Sequence, residues 1–162
     1  MSINSFENIE QDLVDIPLKW NIGDVIADIY EVTGILGEGG MGIVYKVHHK
    51  EWDLDLAVKS IRPEILNNTG LENFIKEAET WVNLGLHPNT VSCYYVRKLG
   101  EVPRIFSEYV DGGSLKEWIQ NGKLYNDTKK EALERILDIA IQSAWGLQYA
   151  HEQGLIHQDV KP

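Results

Sequence analysis

The chain reads GEGGMGIV over residues 37–44, and these residues decide which fold the surrounding sequence can adopt. They fit the pattern G-x-G-x-x-G-x-V, whose glycines let backbone N–H groups approach a bound phosphate closely. A plain hairpin turn would also use glycines, and 14 glycines in 162 residues make a chance match easy. Val44, Tyr45 and Val47 predict a strand next, which excludes a dinucleotide-binding fold because that fold requires a helix directly after the glycines.

The residues on either side of the glycines predict antiparallel strands joined by short loops. One β-rich run begins at Tyr30, and Ala57-Val58-Lys59 lies on the strand after the glycine hairpin. A lone lysine on a strand is usually a solvated edge residue. One strand beyond the hairpin, however, an ammonium group can reach phosphates held under the glycines. Lys59 is therefore a candidate phosphate ligand.

A helix is predicted over residues 71–85, where apolar residues recur at helical spacing. This helix offers two carboxylates that could hold the Lys59 ammonium, Glu77 and Glu79. Glu77 is favoured because it lies on the side of the helix that the apolar residues define. Glu79 stays open, as does a purely solvated position for either carboxylate.

The second half of the sequence predicts two more strands and then helices. The strands flank a turn at residues 100–103, and Ser114 is a candidate N-cap for a short helix. A long helix is predicted over residues 128–152, with a capping box at its start. Its apolar stripe consists of Leu133, Ile136, Leu137, Ala140, Ala144 and Leu147. After the helix comes the run HQDVKP over residues 157–162, which by itself could be a polar loop.

The composition argues against several classes of protein. With 15 Lys and Arg against 25 Asp and Glu, the net charge of −10 disfavours nucleic acid and anionic membrane surfaces as partners. The single cysteine, Cys93, fits a reducing, cytoplasmic location. Residues 1–29 are interpreted as a polar acidic leader without a signal-peptide pattern, ordered in part around Trp20 and Ile22. No apolar run approaches the ~20 residues of a membrane helix.

Taken in order, the glycine hairpin, strand lysine, helix glutamate and His-x-Asp-x-Lys run resemble the eukaryotic-like (Hanks-type) serine/threonine protein kinases over residues 30–162. The resemblance implies an α+β fold. A five-stranded antiparallel N-lobe sheet with one helix and the hinge would occupy residues 30–110, and two helices of an incomplete C-lobe would occupy residues 111–162. It also implies transfer of the ATP γ-phosphoryl group to serine or threonine hydroxyls of a protein substrate, with ATP and Mg²⁺ as cofactors.

The resemblance implies catalytic roles for four residues of this sequence. Asp159 would be the catalytic base that accepts the proton of the substrate hydroxyl. Lys161 would steady the γ-phosphate. Lys59 would contact the α- and β-phosphates and would be held in place by Glu77.

The resemblance also implies a set of residues around the nucleotide. They are Leu36, Gly37, Gly39, Gly40, Gly42, Val44, Ala57, Lys59, Val91, Ser107, Glu108, Val110 and Ser114. Ser107 would be a small gatekeeper that leaves a deeper pocket behind the adenine. Glu108 and Val110 would hydrogen-bond the adenine, and Ser114 would lie near the ribose.

Residues 1–162 depart from the family pattern in two respects. They include neither the catalytic-loop Asn nor Asp-Phe-Gly, which hold Mg²⁺ in the family, so no metal ligand is expected among them and the fragment alone is expected to be inactive. Gln158 stands where the family usually has Arg, so dependence on activation-loop phosphorylation through that contact is not expected.

Alternatives to a kinase piece stay open. The exposed stripe of the 128–152 helix favours a non-catalytic nucleotide-binding or split-kinase module that pairs with a C-lobe or another partner. A decaying gene remnant without function is the third possibility.

Overall fold

The computed structural model describes residues 16–40, 42–65 and 68–162, which divide into two compact units. The first unit takes the described residues up to Asn83 together with Cys93–Tyr109. The second takes Leu84–Ser92 and Val110–Pro162. Residues 1–15 of the predicted leader lie outside the described residues, as does Met41 of the glycine hairpin.

Within the described residues, the first unit is an antiparallel sheet of six strands in the order β1-β2-β3-β4-β6-β5. The strands are β1 (Val25–Ile26), β2 (Tyr30–Glu38), β3 (Gly42–His49), β4 (Leu54–Ile61), β5 (Cys93–Leu99) and β6 (Val102–Glu108). A 3₁₀ turn at Pro63–Ile65 leads into helix α1 (Asn68–Leu84). The predicted antiparallel sheet with one helix is confirmed.

The number of strands differs from the prediction by one. The sixth strand, β1, comes from the segment interpreted as a leader, where Val25 pairs with Glu31 and Ile26 pairs with Tyr30. A strand of two residues has no detectable alternation in the sequence. Its conformation is set by the neighbouring β2 strand, which is a tertiary contact.

Apolar side chains cover both faces of this sheet, because alternate residues of a strand point to opposite faces. Phe106 belongs to the core on one face and its neighbour Ile105 to the core on the other. The larger core contains Trp20, Ile26, Tyr30, Val32, Ile43, Tyr45, Val47, Leu56, Val58, Leu99 and Phe106. The smaller core, to which α1 contributes Phe74 and Ala78, also contains Ile61, Val102 and Ile105.

Trp20 anchors the segment before β1 in the larger core. Its side chain is completely buried, whereas Ile22 is 65% exposed. The buried Arg104 guanidinium lies 4.1 Å from the Trp20 ring and donates to the carbonyl oxygens of Leu18 at 3.0 Å and Leu99 at 2.7 Å. The segment of residues 16–29 therefore contributes Trp20 and Ile26 to the sheet's core.

The second unit contains helix α2 (Leu115–Gln120), a 3₁₀ turn at Lys123–Tyr125 and helix α3 (Lys129–Glu152). Both helices begin with a capping box, as the sequence predicts for α3. Hydrogen bonds from the Ser114 backbone and hydroxyl lower the pKa of Glu117, and those from the Thr128 hydroxyl and backbone lower the pKa of Glu131.

The C-terminal half of α3 packs against residues 84–92. The Tyr149 hydroxyl donates to the Leu84 carbonyl oxygen, and the His87 ring stacks on Tyr149 at 4.6 Å. The other apolar side chains of α3 are largely exposed, as the sequence predicts. The most exposed of them are Leu133, Leu137, Ile141 and Trp145. In the described part of the chain, no helix has the length and apolar character needed to cross a membrane.

Candidate functional site

Strands β2 and β3 form the glycine hairpin, and β4 places Lys59 beside it. The Gly39 N–H donates to the Gly42 carbonyl oxygen at 2.9 Å and closes the hairpin. Val44 pairs with Gly37 on one side and with Lys59 on the other. Paired residues project from the same face of a sheet, so the Lys59 and Val44 side chains share the face next to the hairpin.

Helix α1 supplies a carboxylate to Lys59. The Lys59 Nζ donates to the Glu77 Oε1 and forms an ion pair with it. Of the two carboxylates that the sequence left open, Glu77 is thus the one that contacts Lys59. It lies beside Ala78, whose burial in the smaller core orients the helix. An ammonium has three donors, so the pair with Glu77 leaves donors for phosphate oxygens.

The glycines of the hairpin differ in what surrounds them. A Cβ atom at Gly42 would lie 2.5 Å from the Ser60 carbonyl oxygen, so only glycine allows β3 to approach β4 this closely. At Gly37, Gly39 and Gly40, a Cβ atom would meet no described atom within 4 Å. Those three glycines leave open space at the hairpin, which fits a cradle that a phosphate group approaches.

Strands β4 and β6 place the predicted adenine-pocket residues of the first unit. Ala57 pairs with Ser107, and the buried Ser107 hydroxyl donates to the Ala57 carbonyl oxygen at 3.1 Å. Glu108 ends β6 opposite Leu56. Leu36 is exposed on β2. Val91, Val110 and Ser114 belong to the second unit, where Val91 and Val110 are exposed and Ser114 is the N-cap of α2.

The predicted catalytic residues Asp159 and Lys161 lie in the second unit, after α3. The Lys161 Nζ donates to the Asp159 Oδ2 at 2.6 Å, and both side chains are exposed. This hydrogen bond lowers the pKa of Asp159, so its carboxylate is ionised at neutral pH and can accept a hydrogen bond from a hydroxyl group. Gln158, between His157 and Asp159, has a left-handed φ of 59°.

The described residues show no evident set of ligands for a magnesium ion. Among residues 16–40, 42–65 and 68–162, no group of three or more His, Cys, Asp or Glu side chains could hold a metal ion. None of these residues is therefore assigned to Mg²⁺.

Sequence reasoning missed two basic residues near the predicted site. Arg62 follows β4 and contacts the glycine hairpin through Gly39. Lys46 on β3 lies 4.3 Å from the Tyr109 ring, and its hydrogen bond with Asp55, at 2.7 Å, raises the pKa of Lys46. Neither residue belongs to a motif, and their positions depend on strand pairing, so the sequence offered no signal for them.

The Cys93 thiol is expected to react slowly in the folded protein. Burial raises the pKa of Cys93 to about 11 from an ordinary value of 9.0. At pH 8 this leaves about a hundredfold less of the reactive thiolate than an ordinary cysteine has. The rate of reaction with a disulfide reagent, measured at pH 8 before and after unfolding in guanidinium chloride, tests this. Equal rates in the two states would contradict it.

Comparison with known proteins gives consistent matches. Residues 30–162 match the sequence model of the family described as protein kinase domain. A probable serine/threonine-protein kinase of Clostridium perfringens is 37% identical over 144 residues, which are 87% of this chain and 20% of the relative. The serine/threonine-protein kinase PrkC of Bacillus subtilis is 35% identical over 143 residues, which are 87% of this chain and 21% of PrkC. This chain thus spans about a fifth of the length of these relatives.

Solved structures give a similar result. The crystal structure of the Mycobacterium tuberculosis PknI kinase domain superposes with a TM-score of 0.65 at 27% identity. The match covers 89% of this chain and 56% of the PknI chain.

Proposed function

This chain belongs to the protein kinase family, with bacterial serine/threonine kinases as relatives, and we propose that it supplies the ATP-binding part of such an enzyme. The reaction would transfer the ATP γ-phosphoryl group to serine or threonine hydroxyls of a protein substrate. The observation that carries the proposal is the ion pair of Lys59 with Glu77, one strand away from the glycine hairpin. An oriented ammonium next to a glycine hairpin is an arrangement that binds phosphates.

In this proposal the first unit holds the nucleotide. Val44 and Ala57 would contact the adenine, with Leu36 on the glycine side and Ser107 as the gatekeeper. The hairpin N–H groups and Lys59 would neutralise the phosphates. Phosphoryl transfer needs little covalent help from the protein, so this positioning and charge compensation supply most of the catalysis.

The second unit would act on the substrate hydroxyl. The ionised Asp159 carboxylate would accept the hydroxyl hydrogen and aim its oxygen at the γ-phosphorus, and Lys161 would steady the γ-phosphate. Protein kinases also use divalent metal ions, which compensate phosphate charge. Because residues 1–162 include neither the catalytic-loop Asn nor the Asp-Phe-Gly that hold these ions in the family, we propose that they alone bind nucleotide without useful transfer.

The exposed apolar face of α3 favours a second candidate function. Leu133, Leu137 and Trp145 each expose more than half of their surface. A face of this kind is typical of an interaction surface. The chain would then be a nucleotide-binding module that pairs with a C-lobe or another partner. A stable complex that forms through α3 and transfers no phosphoryl group would favour this candidate.

Nucleotide binding by the 162-residue chain tests the main proposal. Lys59→Met is expected to weaken ATP binding about tenfold to a hundredfold, since a hydrogen bond to a charged group contributes about 1.5–3 kcal/mol. Adenosine, which has no phosphates, should bind both proteins equally. Isothermal titration calorimetry with both ligands measures this.

The matched control is Lys98→Met, which removes an exposed lysine that pairs with Glu101 at the β5–β6 turn. It should bind ATP like the unmodified chain. Equal weakening by the two substitutions, or no ATP binding by the unmodified chain at millimolar concentration, would overturn the proposed function.

A further inference from the structure

Arg62, the residue after β4, contacts the tip of the glycine hairpin at Glu38 and Gly39. Its Nε donates to the Gly39 carbonyl oxygen at 2.7 Å, and its Nη2 lies 3.2 Å from the Glu38 Oε1. The Arg62 side chain is 33% exposed, so solvent only partly screens these contacts. One guanidinium thus contacts the side chain of Glu38 and the backbone of the next residue, Gly39.

Strand pairing brings Arg62 to this position. Gly42 pairs with Ile61, and the absence of a Cβ at Gly42 lets the start of β3 lie against the Ser60 carbonyl. The residue after Ile61 therefore emerges beside the hairpin tip. Because the Gly39 N–H already donates to Gly42, the Arg62 bond to the Gly39 carbonyl fixes the second polar group of that residue.

Glu38 gives this contact an electrostatic consequence. Its carboxylate lies within the glycine motif, where it would repel an incoming phosphate. Arg62 compensates that charge at 3.2 Å, and Lys19 lies farther from the same oxygen, at 3.9 Å. The guanidinium binds the carbonyl and the carboxylate through two different nitrogens of its rigid planar fork, a geometry that the single nitrogen of a lysine ammonium does not match.

We propose that Arg62 is a positioning residue for nucleotide binding: it fixes the tip of the glycine hairpin and compensates Glu38, so that the hairpin accepts phosphate. The inference rests on the proposed function, because it concerns the same site. It adds a residue that no kinase motif in the sequence marks.

The first experiment measures the hairpin without nucleotide. In Arg62→Met, amide hydrogen exchange at Gly39 is expected to become about tenfold faster, while exchange at Tyr45 and Val47 in the middle of β3 stays unchanged. The control is Arg97→Met, which removes an arginine that contacts Tyr30 at the start of β2, the end of the strand far from Gly39. Unchanged exchange at Gly39, or equal acceleration throughout β3, would overturn the inference.

The second experiment measures binding of ATP and adenosine to the same proteins. Arg62→Met should weaken ATP binding about tenfold without changing adenosine binding, and Arg62→Lys should restore only part of the loss. Adding Glu38→Gln to Arg62→Met should also restore part of the lost ATP affinity, because it removes the uncompensated carboxylate. Equal loss for ATP and adenosine would overturn the inference.

The two experiments separate the inference from the proposed function. If the unmodified chain binds no ATP, the proposed function fails, and with it the role of Arg62 in phosphate binding. The exchange rate at Gly39 still decides whether Arg62 fixes the hairpin.

Discussion

A polypeptide that starts at Tyr30, the first residue of the match to the kinase family, is expected not to fold. It lacks Trp20 and Ile26, which are buried in the larger core, and it lacks β1. Removing a buried tryptophan side chain alone costs about 3–5 kcal/mol. A whole domain is stable by only about 5–15 kcal/mol, so the loss of this segment removes most of the stability.

The shortened polypeptide also lacks two carbonyl groups and the aromatic ring that contact the Arg104 guanidinium. The guanidinium donates to the Leu18 carbonyl at 3.0 Å and to the Pro17 carbonyl at 3.3 Å, and it lies over the Trp20 ring. Burial lowers the pKa of Arg104 to about 10, so the side chain remains charged at neutral pH. A buried charge that loses hydrogen-bond acceptors costs several kcal/mol more.

Thermal unfolding followed by circular dichroism checks this first prediction. In the 162-residue chain, Trp20→Ala should destabilise by about 3–5 kcal/mol. Its control from the same segment, Ile22→Ala, removes a side chain that is 65% exposed and should change stability by less than about 0.5 kcal/mol. A cooperative thermal transition in the polypeptide that starts at Tyr30 would contradict the prediction.

Gly42→Ala is expected to have the second large effect, on both the sheet and nucleotide binding. The new Cβ would lie 2.5 Å from the Ser60 carbonyl oxygen, which belongs to the backbone of β4 and cannot rotate away. The start of β3 must therefore separate from β4, at a cost of about 1–3 kcal/mol. Because Gly42 also accepts the hydrogen bond that closes the hairpin, ATP affinity should fall at least about tenfold.

Gly40→Ala is the matched control for Gly42→Ala. A Cβ at Gly40 would meet no described atom within 4 Å, and the Gly40 φ lies outside the left-handed region. The melting temperature of Gly40→Ala should therefore stay close to that of the unmodified chain. Calorimetric ATP titration and thermal unfolding of the two variants measure the difference, and equal melting temperatures would show that β3 accommodates the methyl group at residue 42.

Several features of the fold could be predicted because they depend on residues close together in the chain. The glycine hairpin is signalled by glycines next to β-branched residues, and the caps of α3 by Thr128 and Glu131. The exposed face of α3 could be predicted because its apolar stripe has no matching apolar helix elsewhere in residues 111–162. The roles of Asp159, Lys161 and the adenine-pocket residues stay predictions from the family resemblance.

The sequence by itself determined strands β2 to β6 of the first unit, the start and end of α3, and the placement of Lys59 one strand beyond the glycines, because periodicity and capping are local properties. Only the tertiary structure decided between Glu77 and Glu79, which lie about 200° apart around a helix, because that choice depends on which face of α1 packs on the sheet. It alone also brought Trp20 to Arg104 and Arg62 to Gly39. These contacts join distant parts of the chain, and packing across the sheet, which no local pattern encodes, sets their geometry.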